Sequence, residues 1–277
     1  MKDIIINFCP TGMRQTKQDS PFIPISINEI IDEVGKAYEL GITIVHLHAR
    51  TKNQEPDYRA ETYKSIIDGI KRYCPDLIIC ISHSGRTNLD FNKRTEAMSL
   101  KADMGSLTLS SMNFFNDTSI NSPEIIQKMI EKMKNNGIIP ELEVFDTGML
   151  NYAKYLIEKK ILIPPHYFNI ILGNISSAQF DLNTIGLIIK ELPDNSYWSI
   201  GGFGQTQLKS NTISIIMGGG VRIGLEDNLY YDKNKKYLAT NLKLLKRIHY
   251  LANIFERNIM KPSKLRKEFQ NVYPIQP

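Results

Sequence analysis

Short apolar runs rich in β-branched residues recur along the chain, and between them lie longer stretches in which apolar positions return every three or four residues. The runs are Ile4–Phe8, Thr43–His48, Leu77–Ser82, Met104–Leu109, Leu142–Phe145, Tyr167–Leu172, Tyr197–Gly201 and Val221–Leu225, each four to six residues long. The intervening helical patterns cover Ile27–Leu40, Ala60–Tyr73, Asn92–Leu100, Ser122–Asn136, Leu150–Lys159, Leu182–Leu192, Thr206–Met217 and Leu238–Arg257. The first of these is the clearest: Ser26 or Asn28 caps it, Glu29 sits early and Gly41 stops it. A strand followed by a helix, eight times over, predicts a parallel sheet closed into a (β/α)8 TIM barrel. A doubly wound open sheet is the second solution.

Repeats, low-complexity tracts and linkers do not interrupt this alternation. The chain therefore reads as one barrel domain over 1–257 with a C-terminal extension over 258–277. The connection from Cys9 to Pro24 is longer than the roughly 2–6 residues usual for a strand-to-helix loop. On a barrel it lies over the active face, as a lid or substrate loop.

Composition narrows the class. With 277 residues, 42% of them hydrophobic and 23% charged, the chain is long enough to bury a large core. There is no run of eighteen apolar residues, and the N-terminus is too polar for a signal peptide, so a cytoplasmic protein without membrane attachment is expected. Cys9, Cys74 and Cys80 form no CxxC pair and read as free buried thiols. The net charge of +5 is spread out, and the densest basic stretch, Lys233 to Lys236, is too short for a nucleic-acid arm. A modest positive field favours small anionic substrates or a phosphate-bearing cosubstrate.

Candidate chemistry collects at the ends of the strands. In His46-Leu47-His48, alternation puts both imidazoles on one side at the spacing of two ligands on one metal. The same pattern also suits two hydrogen-bonded histidines in a polar barrel interior. The eighth run leads through Arg222 to Glu226, Asp227 and Asn228. Glu226 can complete a His, His, Glu site with open positions, and Asp227 can act as a base or orient Arg222. A solvated surface turn is the competing reading of Glu-Asp-Asn. Ser82, Gly85 and Ser106 offer hydroxyls and an amide for a carboxylate or thioester oxygen. Glu141 and Glu143 share one side of the fifth strand, and His166 is a further ligand candidate.

Taken together, Pro10-Thr11-Gly12, the Pro21–Pro24 turn, Val45-His46-Leu47-His48-Ala49-Arg50, Ile81-Ser82, Ser106-Leu107, Met112-Asn113-Phe114, Glu141-Leu142-Glu143-Val144-Phe145 and Val221 through Tyr231 resemble the β-keto acid cleavage enzymes. The motifs keep their order and span most of the chain. The resemblance implies a homotetrameric TIM barrel that binds Zn²⁺ through His46, His48 and Glu226 and uses acetyl-CoA as second substrate. Asp227, paired with Arg222, matches the dyad that moves the substrate's α-proton. Ser82, Gly85 and Ser106 match substrate-holding positions, the two serines standing with the dyad among the catalytic groups, and Glu143 is taken as a substrate contact. Acetoacetate and a new acyl-CoA are the implied products.

The chain departs from that pattern at His83-Ser84, where the family has Thr-Gly, and at Leu172-Gly173-Asn174-Ile175-Ser176, in place of a Val-Pro-Gly-Gly stretch. Arg14 stands where the member acting on 3-keto-5-aminohexanoate has an acid that meets the substrate ammonium. A cation there repels an amine and favours an anion. The alternatives are a metal-dependent barrel hydrolase that recruits His166 and Asp227, a carbon–carbon lyase independent of CoA, and a non-catalytic binding protein.

Overall fold

In a computed structural model, which describes residues 2–86, 90–100 and 102–270, eight parallel strands close on themselves. They are β1 (Ile6–Phe8), β2 (Ile44–Leu47), β3 (Ile78–Ile81), β4 (Met104–Thr108), β5 (Ile139–Val144), β6 (His166–Leu172), β7 (Ser196–Gly202) and β8 (Gly220–Ile223). Each pairs with its neighbours in sequence, and β1 pairs with β8 through Ile6 and Val221 to complete a (β/α)8 barrel. The helices are α1 (Ile27–Leu40), α2 (Ala60–Tyr73), α3 (Phe91–Arg94), α4 (Pro123–Asn135), α5 (Thr147–Glu158), α6 (Leu182–Glu191), α7 (Thr206–Ile216), α8 (Asn241–Ile254) and α9 (Pro262–Gln270). No described helix is long and apolar enough to cross a membrane.

Alternation along the strands sorts the side chains. Outward positions such as Phe8, Val45, Leu47, Ile79, Ile81, Val221 and Ile223 pack under the helices in one apolar cluster. Inward positions grade from apolar to polar as the strands run upward. Ile5, Ile44, Ile78, Met104, Ile139 and Tyr167 fill the N-terminal end. Asn7, His46, Ser106, Glu141 and Asn169 are buried two residues further along their strands.

The segment after α8 closes the barrel's apolar base. Ile4 exchanges backbone hydrogen bonds of 2.8 Å with Asn258 and Met260, and Thr43 Oγ1 donates to the Met260 carbonyl at 2.7 Å. Met260, Leu265 and Phe269 join the apolar cluster at the N-terminal end. Burying side chains of this size contributes about 1.5–3 kcal/mol each. The remainder of the expected extension, 271–277, lies outside the described residues.

Several element ends shift by up to three residues from the sequence expectation, as in α5 and α8, and two of the differences have a clear cause. The helix expected over Asn92–Leu100 breaks at Thr95 into α3 and a 3-10 turn, Glu96–Ser99. At the break Arg94 turns inward, donating to the His83 carbonyl at 2.6 Å and also to Asn121 Oδ1. Strand β5 begins at Ile139 rather than Leu142 despite Pro140. Pairing with β6 starts only at Glu141, so the N–H that proline lacks is not required there.

Candidate active site

The polar layer is organised around Glu141, which is fully buried in the barrel. Its Oε2 lies 2.6 Å from His46 Nδ1 and accepts from Cys80 Sγ at 3.3 Å. Its Oε1 accepts from Asn169 Nδ2 at 3.0 Å and from Asn7. Burial opposes ionisation, but the charge of His46 and its hydrogen bond hold the Glu141 carboxyl down at about 2. Burial likewise pushes His46 down, and the carboxylates of Glu141 and Glu226 outweigh it and raise its pKa to about 9. With Nδ1 held by Glu141, the ring turns Nε2 towards the barrel mouth. There it meets His48 Nε2 at 3.3 Å, and His48 Nε2 stands 3.2 Å from Glu226 Oε1.

Glu226 is placed by two glycines on neighbouring connections. Gly224 has φ +153°, and a Cβ there would fall 1.9 Å from the Cys9 carbonyl oxygen. Gly12 has φ +70°, and a Cβ there would stand 2.8 Å from Glu226 Cγ. Both positions combine a backbone conformation and a close approach that only glycine tolerates. Asn241, fully buried at the start of α8, ties the two connections together by accepting from Leu225 N at 2.9 Å and donating to the Pro10 carbonyl at 3.1 Å. Gln15 adds a 2.5 Å bond to the Glu226 carbonyl.

Arg222 forks between the two carboxylates. Its Nε donates to Asp227 Oδ2 at 2.7 Å, and its Nη2 reaches Asp227 Oδ1 at 3.2 Å and Glu226 Oε1 at 2.7 Å. Burial and the neighbouring Glu226 charge raise the Asp227 pKa against the pull of Arg222. Glu226 is held well below the usual carboxylate range: Arg222 and the two histidines overcome its burial. Two buried atoms of this constellation, Glu226 Oε2 and Arg222 Nη1, have no hydrogen-bond partner among the described residues. The ligand-type atoms of His46, His48 and Glu226 all lie within 4.8 Å of one another. Two imidazole nitrogens and one carboxylate, that of Glu226 with an oxygen still unpartnered, fit a divalent metal of borderline softness.

Above this constellation opens a cavity of about 420 Å³ lined by His48, Ser82, Thr108, Glu143, Arg222, Glu226 and Asp227, among others. Arg14 lines it as well, on the β1–α1 connection. Glu143 accepts from Thr108 Oγ1 at 2.6 Å, so both carboxylates of β5 face inward, Glu141 below and Glu143 above. Ser106 and Gly85 do not line the cavity. Ser106 Oγ accepts from His83 N at 3.0 Å and so braces the turn that carries Ser82. Gly85 makes room for Arg94, whose Nη1 would stand 2.8 Å from a Cβ at that position. His166 begins β6 at the barrel's N-terminal end, in the outward phase with Phe168, and cannot reach the metal-type cluster.

Sequence reasoning missed Asn7, Asn169 and Asn241, and also Arg86, which lines the cavity. Strand alternation carries the signal for the two interior asparagines, whereas nothing local marks the other two. The altered stretch after β6 is pinned to the loop after β4: Asn174 Nδ2 and Ser176 Oγ donate to the Asn113 carbonyl at 2.8 and 2.6 Å. Ile175, at the same rim, is 65% exposed.

The family model described as beta-keto acid cleavage enzyme matches residues 3–270. The chain belongs to the β-keto acid cleavage enzyme family. It is 32% identical over 268 residues to the 3-keto-5-aminohexanoate cleavage enzyme of Acetoanaerobium sticklandii, a match covering 96% of this chain and 98% of that protein. It is 28% identical over 265 residues to the 3-oxoadipate:acetyl-CoA acetyltransferase of Cupriavidus necator, covering 95% of this chain and 93% of that one. Among solved structures, the binary complex of ObcA with oxaloacetate superposes with a TM-score of 0.80 at 18% identity, over 90% of this chain and 67% of that chain. That likeness speaks to the barrel fold.

Proposed function

We propose that this member of the family condenses a β-keto acid with acetyl-CoA to give acetoacetate and a new acyl-CoA, with Zn²⁺ held by His46, His48 and Glu226. The observation that carries the reading is the convergence of His46 Nε2, His48 Nε2 and Glu226 Oε1 beside the Arg222–Asp227 pair. When bound, zinc supplies Lewis acidity that favours loss of the proton between the ketone and carboxylate of the substrate.

Asp227 is the group that takes this proton. It faces the cavity, it is buried, and its raised pKa makes it a better base than an ordinary carboxylate. Arg222 orients it through two hydrogen bonds. The resulting carbanion attacks the acetyl carbonyl of acetyl-CoA and expels the CoA thiolate. That thiolate then attacks the original ketone carbonyl, and the bond between this carbonyl and the α-carbon breaks. The electron pair leaves on acetoacetate, which regains the proton from Asp227. Ser82 and Glu143, both lining the cavity, hold the acid in place, and Ser106 acts through the turn it braces.

Acetyl-CoA labelled with ¹³C in both acetyl carbons tests the bond changes. The proposal requires the label at C3 and C4 of acetoacetate and an unlabelled new acyl-CoA. Acetoacetate formed without label, or formed without acetyl-CoA, contradicts it.

A further inference from the structure

Three connections meet over the cavity. Arg14 comes from the loop after β1, Arg86 from the loop after β3, and Asp117 and Phe114 from the loop after β4. Arg86 donates from Nε and Nη2 to Asp117 Oδ1, each at 3.2 Å, and its guanidinium lies 3.7 Å from the centre of the Phe114 ring. Arg14 Nη1 approaches Asp117 Oδ2 to 3.0 Å but without the alignment of a hydrogen bond. Arg14, Arg86 and Phe114 line the cavity, whereas Asp117 does not. The carboxylate therefore stands behind two cations that border the space where a ligand sits.

Charge separates this end of the cavity from the other. At the inner end Arg222 is matched by Glu226 and Asp227. At the outer end two guanidiniums share one carboxylate, leaving one positive charge unmatched among the described residues. Arg86 is the more buried of the two, its side chain 19% exposed against 43% for Arg14. The Phe114 ring that Arg86 covers packs in turn with Phe145 and Phe203, with centroids 6.0–6.4 Å apart. A cation held against an aromatic ring interacts strongly with an anion of fixed position and repels a second cation.

We infer that Arg86, steadied by Asp117 and Phe114 and assisted by Arg14, is the specificity determinant for a β-keto acid that carries a second carboxylate at its far end. The inference rests on the proposed reaction, which sends the keto acid's own carboxylate to the inner end. Asp117 is a positioning residue: it fixes the two guanidiniums without occupying the cavity. A substrate with a distal ammonium meets the wrong charge, and one with a distal methyl group leaves the charge unmatched. The phosphates of CoA are the other available anion. A cavity of about 420 Å³ takes a short keto acid and the thioester end of CoA, and leaves the nucleotide outside.

The test compares three β-keto acids of equal length ending in carboxylate, methyl or ammonium, at saturating acetyl-CoA, on wild type, Arg86→Gln and Arg86→Lys. Wild type prefers the diacid over the methyl compound by at least about tenfold. Arg86→Gln raises KM for the diacid about 10- to 100-fold and leaves KM for the methyl compound and for acetyl-CoA within about twofold. Arg86→Lys, which keeps charge but loses the planar fork, falls between, and thermal melting confirms that both variants fold. A wild-type preference for the methyl or ammonium compound overturns the inference, as does an Arg86→Gln effect that falls on acetyl-CoA or equally on all three acids. Calorimetric binding of adipate against hexanoate repeats the comparison without turnover: adipate binds wild type more tightly, and Arg86→Gln removes the difference. If none of the acids is turned over while adipate still binds through Arg86, the proposed reaction fails and the anion subsite stands. If the methyl compound gives acetoacetate with no advantage for the diacid, the reaction stands and the subsite fails.

Discussion

Glu141 Oε2 sits 2.6 Å from His46 Nδ1, on the side of the ring opposite the nitrogen that faces His48 and Glu226. A carboxylate in that position fixes the orientation of a metal-binding imidazole and raises its basicity. Glu141→Gln keeps the shape and removes the charge. Zinc affinity, measured by competition with a chromogenic chelator, is expected to fall about 10- to 100-fold with the barrel still folded. Unchanged affinity would show that Glu141 is only a buried polar partner of Asn7 and Asn169.

Asp227→Asn separates the proposed base from the proposed metal ligands. The amide still accepts one hydrogen bond from Arg222 but cannot take a proton, so kcat is expected to drop about 10²- to 10⁴-fold with zinc content unchanged. Exchange of the substrate α-protons with deuterium oxide, followed by NMR in the absence of acetyl-CoA, falls in parallel. A variant that keeps exchanging at the wild-type rate removes Asp227 from proton transfer.

Glu29 couples the β1–α1 connection to the first helix. Its carboxylate accepts from Ile25 N at 3.0 Å and Ser26 N at 2.9 Å in a capping box and pairs with Lys17 of the β1–α1 connection at 2.7 Å. Partial burial opposes its ionisation, but these bonds lower its pKa from 4.5 to about 2. A carboxyl with a depressed folded pKa contributes stability above its unfolded pKa and loses that contribution as pH falls through the folded value. The difference in Tm between wild type and Glu29→Gln is therefore expected to be fully present above pH 4.5 and to shrink towards pH 2. Because Glu29 is largely exposed, the difference is small. A gap that stays constant over that window would show that the charge plays no part in the cap.

The strand runs carried most of the fold. Because the barrel strands are short and covered on both sides, their β-branched runs stand out between amphipathic helices, and α1 and α2 begin and end where the pattern places them. His46, His48 and Glu226 were legible for the same reason: each lies on or just past a strand end, where the inward phase points into the mouth. Ser106 and Gly85 also lie near strand ends, but the Ser106 hydroxyl is taken up by His83 and Gly85 is backed by Arg94. Polarity at a strand end does not distinguish a cavity wall from the layer behind it. Asp117 and Arg86 lie on loops, where no periodicity reports which way a side chain points, and their pairing spans 31 residues of sequence.

The most direct test measures zinc by plasma emission and acetoacetate by coupled assay on the same preparations of wild type and Glu226→Gln, with acetyl-CoA and a keto diacid. The account predicts near-stoichiometric zinc and CoA-dependent acetoacetate in wild type, with both lost together in the variant. Zinc retained in Glu226→Gln, or acetoacetate formed by a zinc-free enzyme, would contradict it.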